Sequence, residues 1–391
     1  MKIAYISSSA YSDVDLSYIG EAQKSLDITY FVLMNSGNRR TCALDLRDDS
    51  LLHGINKGYN LKGLGKYSDI ININKAYVLY NEGKHAYDMK SLSFWCKVYR
   101  YLKQEGFDVI HFTTAPSIFN PFAFLLRDKL VLTVHDPLPH SSATSKSTEL
   151  YRKIAFKWIK NFILLNKAQI SEFKKTYGIK NINIQISSLG AYTYLLKYND
   201  NIHLPKPYVL FFGNIHSYKG LDYLFPAMEL AHTKYPELTL VVAGKGKYYF
   251  DIEKYLKLPY FKIDNRFIPD GELAAMIREC EFVVVPYVDA TQSGVIMSAY
   301  AYCKPCIATN VGGLPEMVNH EHNGLIVEPK DVEGLAAAII DMHQGVEKLN
   351  SFMNAIKLEY YHGKKSWKNI VDEMTSIYRT CLLYTSPSPR D

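Results

Sequence analysis

The chain is short of every feature that would set it apart from an ordinary globular protein, and each shortage removes a class. Six cysteines in 391 residues are too few for a disulfide scaffold. No stretch approaches the ~18 consecutive apolar residues of a membrane-spanning helix. The start offers only a short apolar run, Ile3 to Ile6, before it turns polar, whereas a secretory signal needs a longer apolar core. The net charge of +6, from 45 Lys+Arg against 39 Asp+Glu, is too mild to mark a nucleic-acid partner. The chain is therefore expected in the cytoplasm, with reduced thiols and no nucleic acid bound. What is present is a globular composition, 48% hydrophobic and 21% charged, which excludes disorder, collagen and coiled coil.

Short apolar runs alternate with helical patterns. KIAYI, ITYFVLM, FDVIHF and KLVLTVHD read as strands in the first half, with an amphipathic helix over 87–104. Runs rich in Val and Ile between polar punctuation suit parallel strands covered on both faces. The rhythm restarts near Pro205 with PYVLFFGNI, LTLVVAGKG, CEFVVVPY, PCIATNV and NGLIV, separated by helical segments. Strand–helix alternation implies right-handed βαβ units in open sheets. The polar, proline-containing segment 197–207 reads as the linker between two doubly wound domains. The terminal string CLLYTSPSPRD follows a helix expected to end near Thr380. It resembles translated sequencing-adapter read-through, so 382–391 is expected to be a non-native tail.

Ligands of open α/β sheets bind at the carboxyl ends of strands, so the residues after each strand are the candidates. In FFGNIHSYKG, Gly213 permits a sharp turn and Lys219 stands just before a helix, where a cation beside helix N–H groups suits a diphosphate; a solvated surface lysine is the plainer reading. In VPYVDATQSGVIMSAYA, the polar residues Thr291, Gln292, Ser293 and Gly294 precede a helix, as an anion cradle or as an ordinary N-cap. In LTVHDPLPH, His135 ends a strand, either facing a ligand or fixed by Asp136. The glycine pair of TNVGGLPE reads as turn chemistry.

Two further features have two readings each. CKPC, at Cys303 to Cys306, has redox spacing but lies between a helix and a strand deep in the second half, which argues for a structural role. From Glu149 to Lys180 there are eight basic and two acidic residues, a surplus equal to that of the whole chain. Tyr151, Ile154, Ala155, Trp158 and Phe162 recur there at helical spacing. The stretch Arg152 to Lys180 reads either as a peripheral contact with an anionic membrane or as a core-packed helix with a solvated basic face.

Taken together and in order, FFGNIHSYKGLDYL, RFIPDGELAAMIRECEFVVVPY, ATQSGVIMSAYAYCKPCIATNVGGLPEMV and NGLIV resemble a family 4 glycosyltransferase of the GT-B fold. VIHF and LTVHDP are the best matches in the first half. The resemblance implies two Rossmann-like, parallel-sheet domains facing a central cleft. Residues 1–196 would be the acceptor-side domain and 208–362 the nucleotide-sugar domain, with a C-terminal helix at 363–381 that packs back on the first domain. It implies a retaining transfer of a sugar, hexosyl in type, from a UDP- or GDP-linked donor to a saccharide or lipid-linked acceptor, in surface polysaccharide or glycan assembly. No metal or other cofactor is implied. By the same resemblance Gly213, Asn214, Lys219, Gln292, Ser293, Gly294 and Val295 would bind the donor phosphates. Phe267 and Ile268 would lie near the nucleobase, and His135 would be the catalytic-side group at the donor sugar. The chain departs from the common pattern in Asn214, where an Arg is usual, and in Ala290 and Ser298, where a pair of glutamates is usual. A sugar-nucleotide epimerase of similar fold, or a binding partner with impaired catalysis, is the alternative.

Overall fold

The computed structural model describes residues 1–41, 43–85, 88–114, 124–135, 146–167, 170–178 and 183–385. The chain divides into two compact units, Met1–Leu189 with Trp367–Asp391, and Gly190–Ser366.

The first unit runs β1 (Lys2–Ser8), α1 (Ser12–Ala22), β2 (Asp27–Asn35), β3 (Gly54–Lys57), α2 (Lys62–Gly65), β4 (Ala76–Asn81), α3 (Met89–Glu105), β5 (Val109–Phe112), β6 (Leu130–Val134), α4 (Lys146–Phe156), β7 (Asn161–Leu164), α5 (Ile170–Tyr177) and β8 (Asn183–Ile186). Its sheet has the order β3-β4-β2-β1-β5-β6-β7-β8. Among the described strands of this sheet only β3 pairs antiparallel, along β4. The central strands are apolar on both faces, and their side chains are sealed by helices. Phe94 and Trp95 of α3 pack with Phe112 of β5 and Phe156 of α4 in this core. Helix α3 has both ends written into the sequence. The Asp88 carboxylate accepts from the Ser91 N–H at the start, and Gly106, at φ 68°, ends it in the left-handed conformation.

The second unit runs β9 (Tyr208–Phe212), α6 (Leu221–Lys234), β10 (Thr239–Ala243), α7 (Glu253–Leu256), β11 (Phe261–Asp264), α8 (Asp270–Glu279), β12 (Val283–Val285), α9 (Gly294–Ala301), β13 (Cys306–Thr309), α10 (Leu314–Met317), β14 (Gly324–Val327), α11 (Val332–Gln344) and α12 (Val346–Lys357). Its sheet is parallel throughout, in the order β11-β10-β9-β12-β13-β14. The order reverses between β9 and β12, and the crevice outside the carboxyl ends of those two strands is where such a sheet takes a ligand.

The last helix, α13 (Trp367–Thr385), belongs to the first unit. Tyr378 fixes it there: its hydroxyl lies 2.7 Å from His111 Nδ1 and 3.1 Å from the Tyr18 hydroxyl, all buried. Two boundaries differ from expectation. The helix does not end near Thr380 but continues to Thr385, with Cys381 buried, so the start assigned to the tail, Leu382, is still helical. The division between the units falls at Leu189/Gly190 and not at 197–207. The polar segment is held inside the second unit, because Arg278 donates to the Asp200 carbonyl and the Lys206 ammonium pairs with Glu279 at 3.0 Å.

Candidate functional site

Two loops leave the reversal point of the second sheet, and glycines let them touch. After β9 the chain passes Gly213, where an added Cβ would lie 3.6 Å from Val295 Cγ2 at the start of α9. A short turn, Ser217–Lys219, then ends at Gly220 with φ 69°. A Cβ at Gly220 would come within 1.9 Å of the Pro286 carbonyl oxygen after β12, so only glycine lets the two backbones meet. The Val288 N–H donates to the Tyr218 carbonyl at 2.8 Å and closes the join. Gly312 does comparable work from below, at φ 52°: its absent Cβ would stand 1.5 Å from the Ala290 carbonyl oxygen. Gly312 is thus a brace under the 290–294 loop as well as part of a turn.

Ser293 is the N-cap of α9, extended at φ −138° and ψ 110°, and its side chain makes no capping bond. Its hydroxyl oxygen is buried without a hydrogen-bond partner. The first turn of any helix has N–H groups with no intrahelical acceptor, and they carry the positive end of the helix dipole. Gln292 and Val295 flank this entrance, partly buried, and the Tyr192 ring closes one side, 3.2 Å from where a Gly294 Cβ would be. Ala290 and Ser298 are buried.

Lys219 is the cation beside this entrance. Its ammonium lies 3.8 Å from the centre of the Tyr287 ring and 5.2 Å from that of Tyr218. Burial pulls its pKa down to about 8, opposed by the neighbouring Tyr218. An ammonium whose pKa lies close to neutral pH, sharing Tyr287 with the buried Ser293 hydroxyl at the start of α9, can receive an anion of more than one charge.

The other expected residues fall as follows. Asn214 is exposed in the same loop as Lys219. Phe267 and Ile268 are partly buried between β11 and α8, at the same carboxyl edge but beyond β10. Sequence reasoning passed over Tyr287, Tyr192, and the lysines of GKGK after β10. Lys245 of that stretch is exposed, and its carbonyl accepts from the Ile215 N–H at 3.0 Å. The strand-then-glycine pattern could have singled out Lys245; nothing local could have singled out Tyr287. A cavity of about 710 Å³ along β11, lined by Asp200, His203, Asp264 and Met276 among others, includes neither Lys219 nor Ser293 and is not this site.

In the first unit, His135 follows β6 with its ring stacked on Tyr11, centroids 3.9 Å apart and planes 12° from parallel. Asp136 and Pro137 lie outside the described residues. Beneath it His111 is fully buried, held by Thr133 Oγ1 at 2.7 Å and by Tyr378, and burial pushes its pKa down to about 3, so it is neutral. In the basic stretch, Arg152 covers the Phe156 and Tyr177 rings and Lys160 pairs with Asp128 at 2.9 Å, while Lys153, Ile154, Lys157 and Trp158 are exposed. Lys180 is outside the described residues. Cys306 is buried and its thiol pKa is pushed up by burial, the opposite of a reactive thiolate. Among the described residues no helix is long and apolar enough to cross a membrane, and no group of three or more His, Cys, Asp or Glu is placed to hold a metal.

Two α/β units, each built on a largely parallel sheet, define the GT-B class, and solved structures share the fold. Anabaena HepE, crystallised with UDP, superposes with a TM-score of 0.66 at 17% identity, covering 97% of this chain and 100% of HepE. Sucrose-phosphate synthase from Thermosynechococcus elongatus gives 0.67 at 17% identity over 99% and 100%. Residues 206–344 match the family described as Glycosyl transferases group 1, and residues 72–190 match Glycosyltransferase Family 4. The chain belongs to family 4 of the GT-B glycosyltransferases. A glycosyltransferase of Methanocaldococcus jannaschii is 26% identical over 323 residues, 77% of this chain and 84% of that protein. A second from the same organism is 28% identical over 181 residues, 44% of this chain and 45% of its own length, so less than half of that relative is matched.

Proposed function

We propose that the protein transfers a hexosyl group, with retention of configuration, from a UDP- or GDP-linked donor to a saccharide or lipid-linked acceptor in surface polysaccharide or glycan assembly. The observation that carries this reading is that Tyr287, at the reversal point of the second sheet, has the Lys219 ammonium 3.8 Å from its ring centre and the Ser293 hydroxyl, at the N-cap of α9, beside its own. The donor diphosphate takes the charge of Lys219 and the N–H groups around Ser293, Gly294 and Val295, with Gly213, Asn214 and Gln292 along its edge. That HepE has been crystallised with UDP-glucose supports a UDP-linked donor. Phe267 and Ile268 border the base, and His135 is the catalytic group. Departure of the nucleotide is then eased by fixed charge and oriented N–H groups. The exposed face of α4 gives the enzyme a peripheral seat on the cytoplasmic side of an anionic membrane.

The test is a thermal-shift screen of nucleotide sugars, in which a ligand at 100 times its Kd stabilises by about 2.7 kcal/mol. Turnover with the selected donor and candidate acceptors follows, with the anomer of the product read by NMR. A selective shift with turnover and a retained anomer is the expected result. A shift without turnover on any acceptor assigns an impaired binding partner, and no shift with any nucleotide sugar overturns the reading.

A further inference from the structure

We propose that Tyr287 is a positioning residue that holds the Lys219 ammonium over its ring face, aimed at the start of α9. The inference rests on the reading of that helix start as the donor-diphosphate site. Lys219 Nζ is 3.8 Å from the Tyr287 ring centre, within the range at which a cation is drawn to the negative face of an aromatic ring. Tyr218 stands edge-on to that ring, centroids 6.2 Å apart at 83°, so the amine is bordered by two aromatic groups. Tyr287 cannot follow the lysine if it moves. It is buried, and its carbonyl accepts from Thr309 Oγ1 at 2.5 Å.

The ring is not placed there for its hydroxyl. The Tyr287 hydroxyl bears on that of Ser293, and no backbone or charged group bonds either of them. A buried tyrosine ordinarily satisfies its O–H, so the part of this side chain that meets a need is its face. The need is electrostatic. Desolvation favours a neutral amine, and a neutral amine binds phosphate weakly. The ring quadrupole opposes that loss and keeps the charge available without a carboxylate that would compete with an incoming diphosphate. Tyr287 therefore sets the strength and the aim of Lys219 while touching no substrate atom itself.

The experiment keeps the shape of the ring and removes its charge distribution. Tyr287 is replaced by Phe and by phenylalanines carrying one, two and three ring fluorines, and the Kd is measured for whichever of UDP and GDP the wild type binds more tightly. Tyr287→Phe should bind like wild type. Successive fluorines should weaken binding stepwise, by about tenfold in all, equivalent to ~1.4 kcal/mol. In a Lys219→Met background the series should be flat. If the series is flat with Lys219 present while Lys219→Met alone weakens binding, the role of Tyr287 is wrong and the donor site stands. A loss already complete in Tyr287→Phe assigns the effect to the hydroxyl and likewise overturns the proposal. If neither nucleotide binds the wild type, or Lys219→Met leaves affinity unchanged, the donor-site reading itself falls.

Discussion

His135 is the residue on which the proposed chemistry leans most in the first unit. Its backbone is fixed by the end of β6 and its ring by the stack on Tyr11. His135→Ala should therefore lower kcat by about 10²-fold while nucleotide affinity and Tm stay near wild type, in keeping with general acid–base or electrostatic contributions. A fall in stability with normal kcat per folded molecule would make the histidine scaffolding. Asp15 is a residue whose effect is on stability alone. It is fully buried and accepts from the Tyr5 hydroxyl at 2.9 Å and the Tyr30 hydroxyl at 3.2 Å, and burial raises its pKa to about 8. A raised folded pKa gives stability that is complete below the unfolded value near 3.8 and is lost as pH rises through about 8. Denaturation of wild type and Asp15→Asn at pH 6.5 and 8.5 should show the wild type losing stability relative to the variant over that interval; equal slopes would refute the assignment. The sequence displayed Lys219 because a lone cation between a strand and a helix is a local pattern. It could not display Tyr287 or Asp15, because each owes its role to residues brought close only by the fold.

At the scale of elements, the sequence is most informative where a strand is short, apolar and soon followed by glycine or proline. β9, β10, β12 and β13 could be read with their helices in order. β3, at the antiparallel edge, β7, in the basic stretch, and β8, just after it, could not, since their few residues alternate too weakly to stand out from their neighbours. The segment 197–207 looked like a linker because it is polar, yet its polar contacts are made by neighbours within the second unit. α13 was visible as a helix, and the register that locks it was not: Tyr378 meets His111 and Tyr18, which lie 267 and 360 positions away. Tyr378→Phe should leave His111 Nδ1 buried without its partner, at a cost of ~1–3 kcal/mol. Amides of α13 should then exchange faster than in the wild type while those of the second unit stay unchanged. No gain in exchange would mean that apolar packing of Ile370, Met374 and Ile377 holds the helix by itself.

At the scale of the whole molecule, the two-unit architecture follows from rhythm, whereas the way the chain meets a surface depends on where its charge gathers. The stretch from Glu149 to Lys180 carries a surplus equal to that of the entire chain. Helix α4 buries Ala155 and Phe156 and exposes Lys153 and Ile154, and the turn that follows it exposes Lys157 and Trp158, with Phe124 edge-on to Trp158 at 5.0 Å. Basic residues interleaved with exposed apolar ones suit the boundary of an anionic bilayer, where each Lys or Arg near the surface contributes about 1 kcal/mol and the rings enter the headgroup layer. The attraction reaches only about one Debye length, ~10 Å at 0.1 M salt, so binding must fall steeply as salt is added. The protein should co-sediment with phosphatidylglycerol-containing vesicles at low salt, be released at high salt, and ignore neutral vesicles. Lys153→Glu with Lys157→Glu should abolish binding, and Trp158→Ser should weaken it without changing its salt dependence. These exposed side chains lie in the first unit, so nucleotide binding by the second unit should be unaffected, a control that separates lost docking from lost folding. Binding that persists at high salt, or its absence at low salt, would return α4 to the plainer reading of a core-packed helix with a solvated basic face.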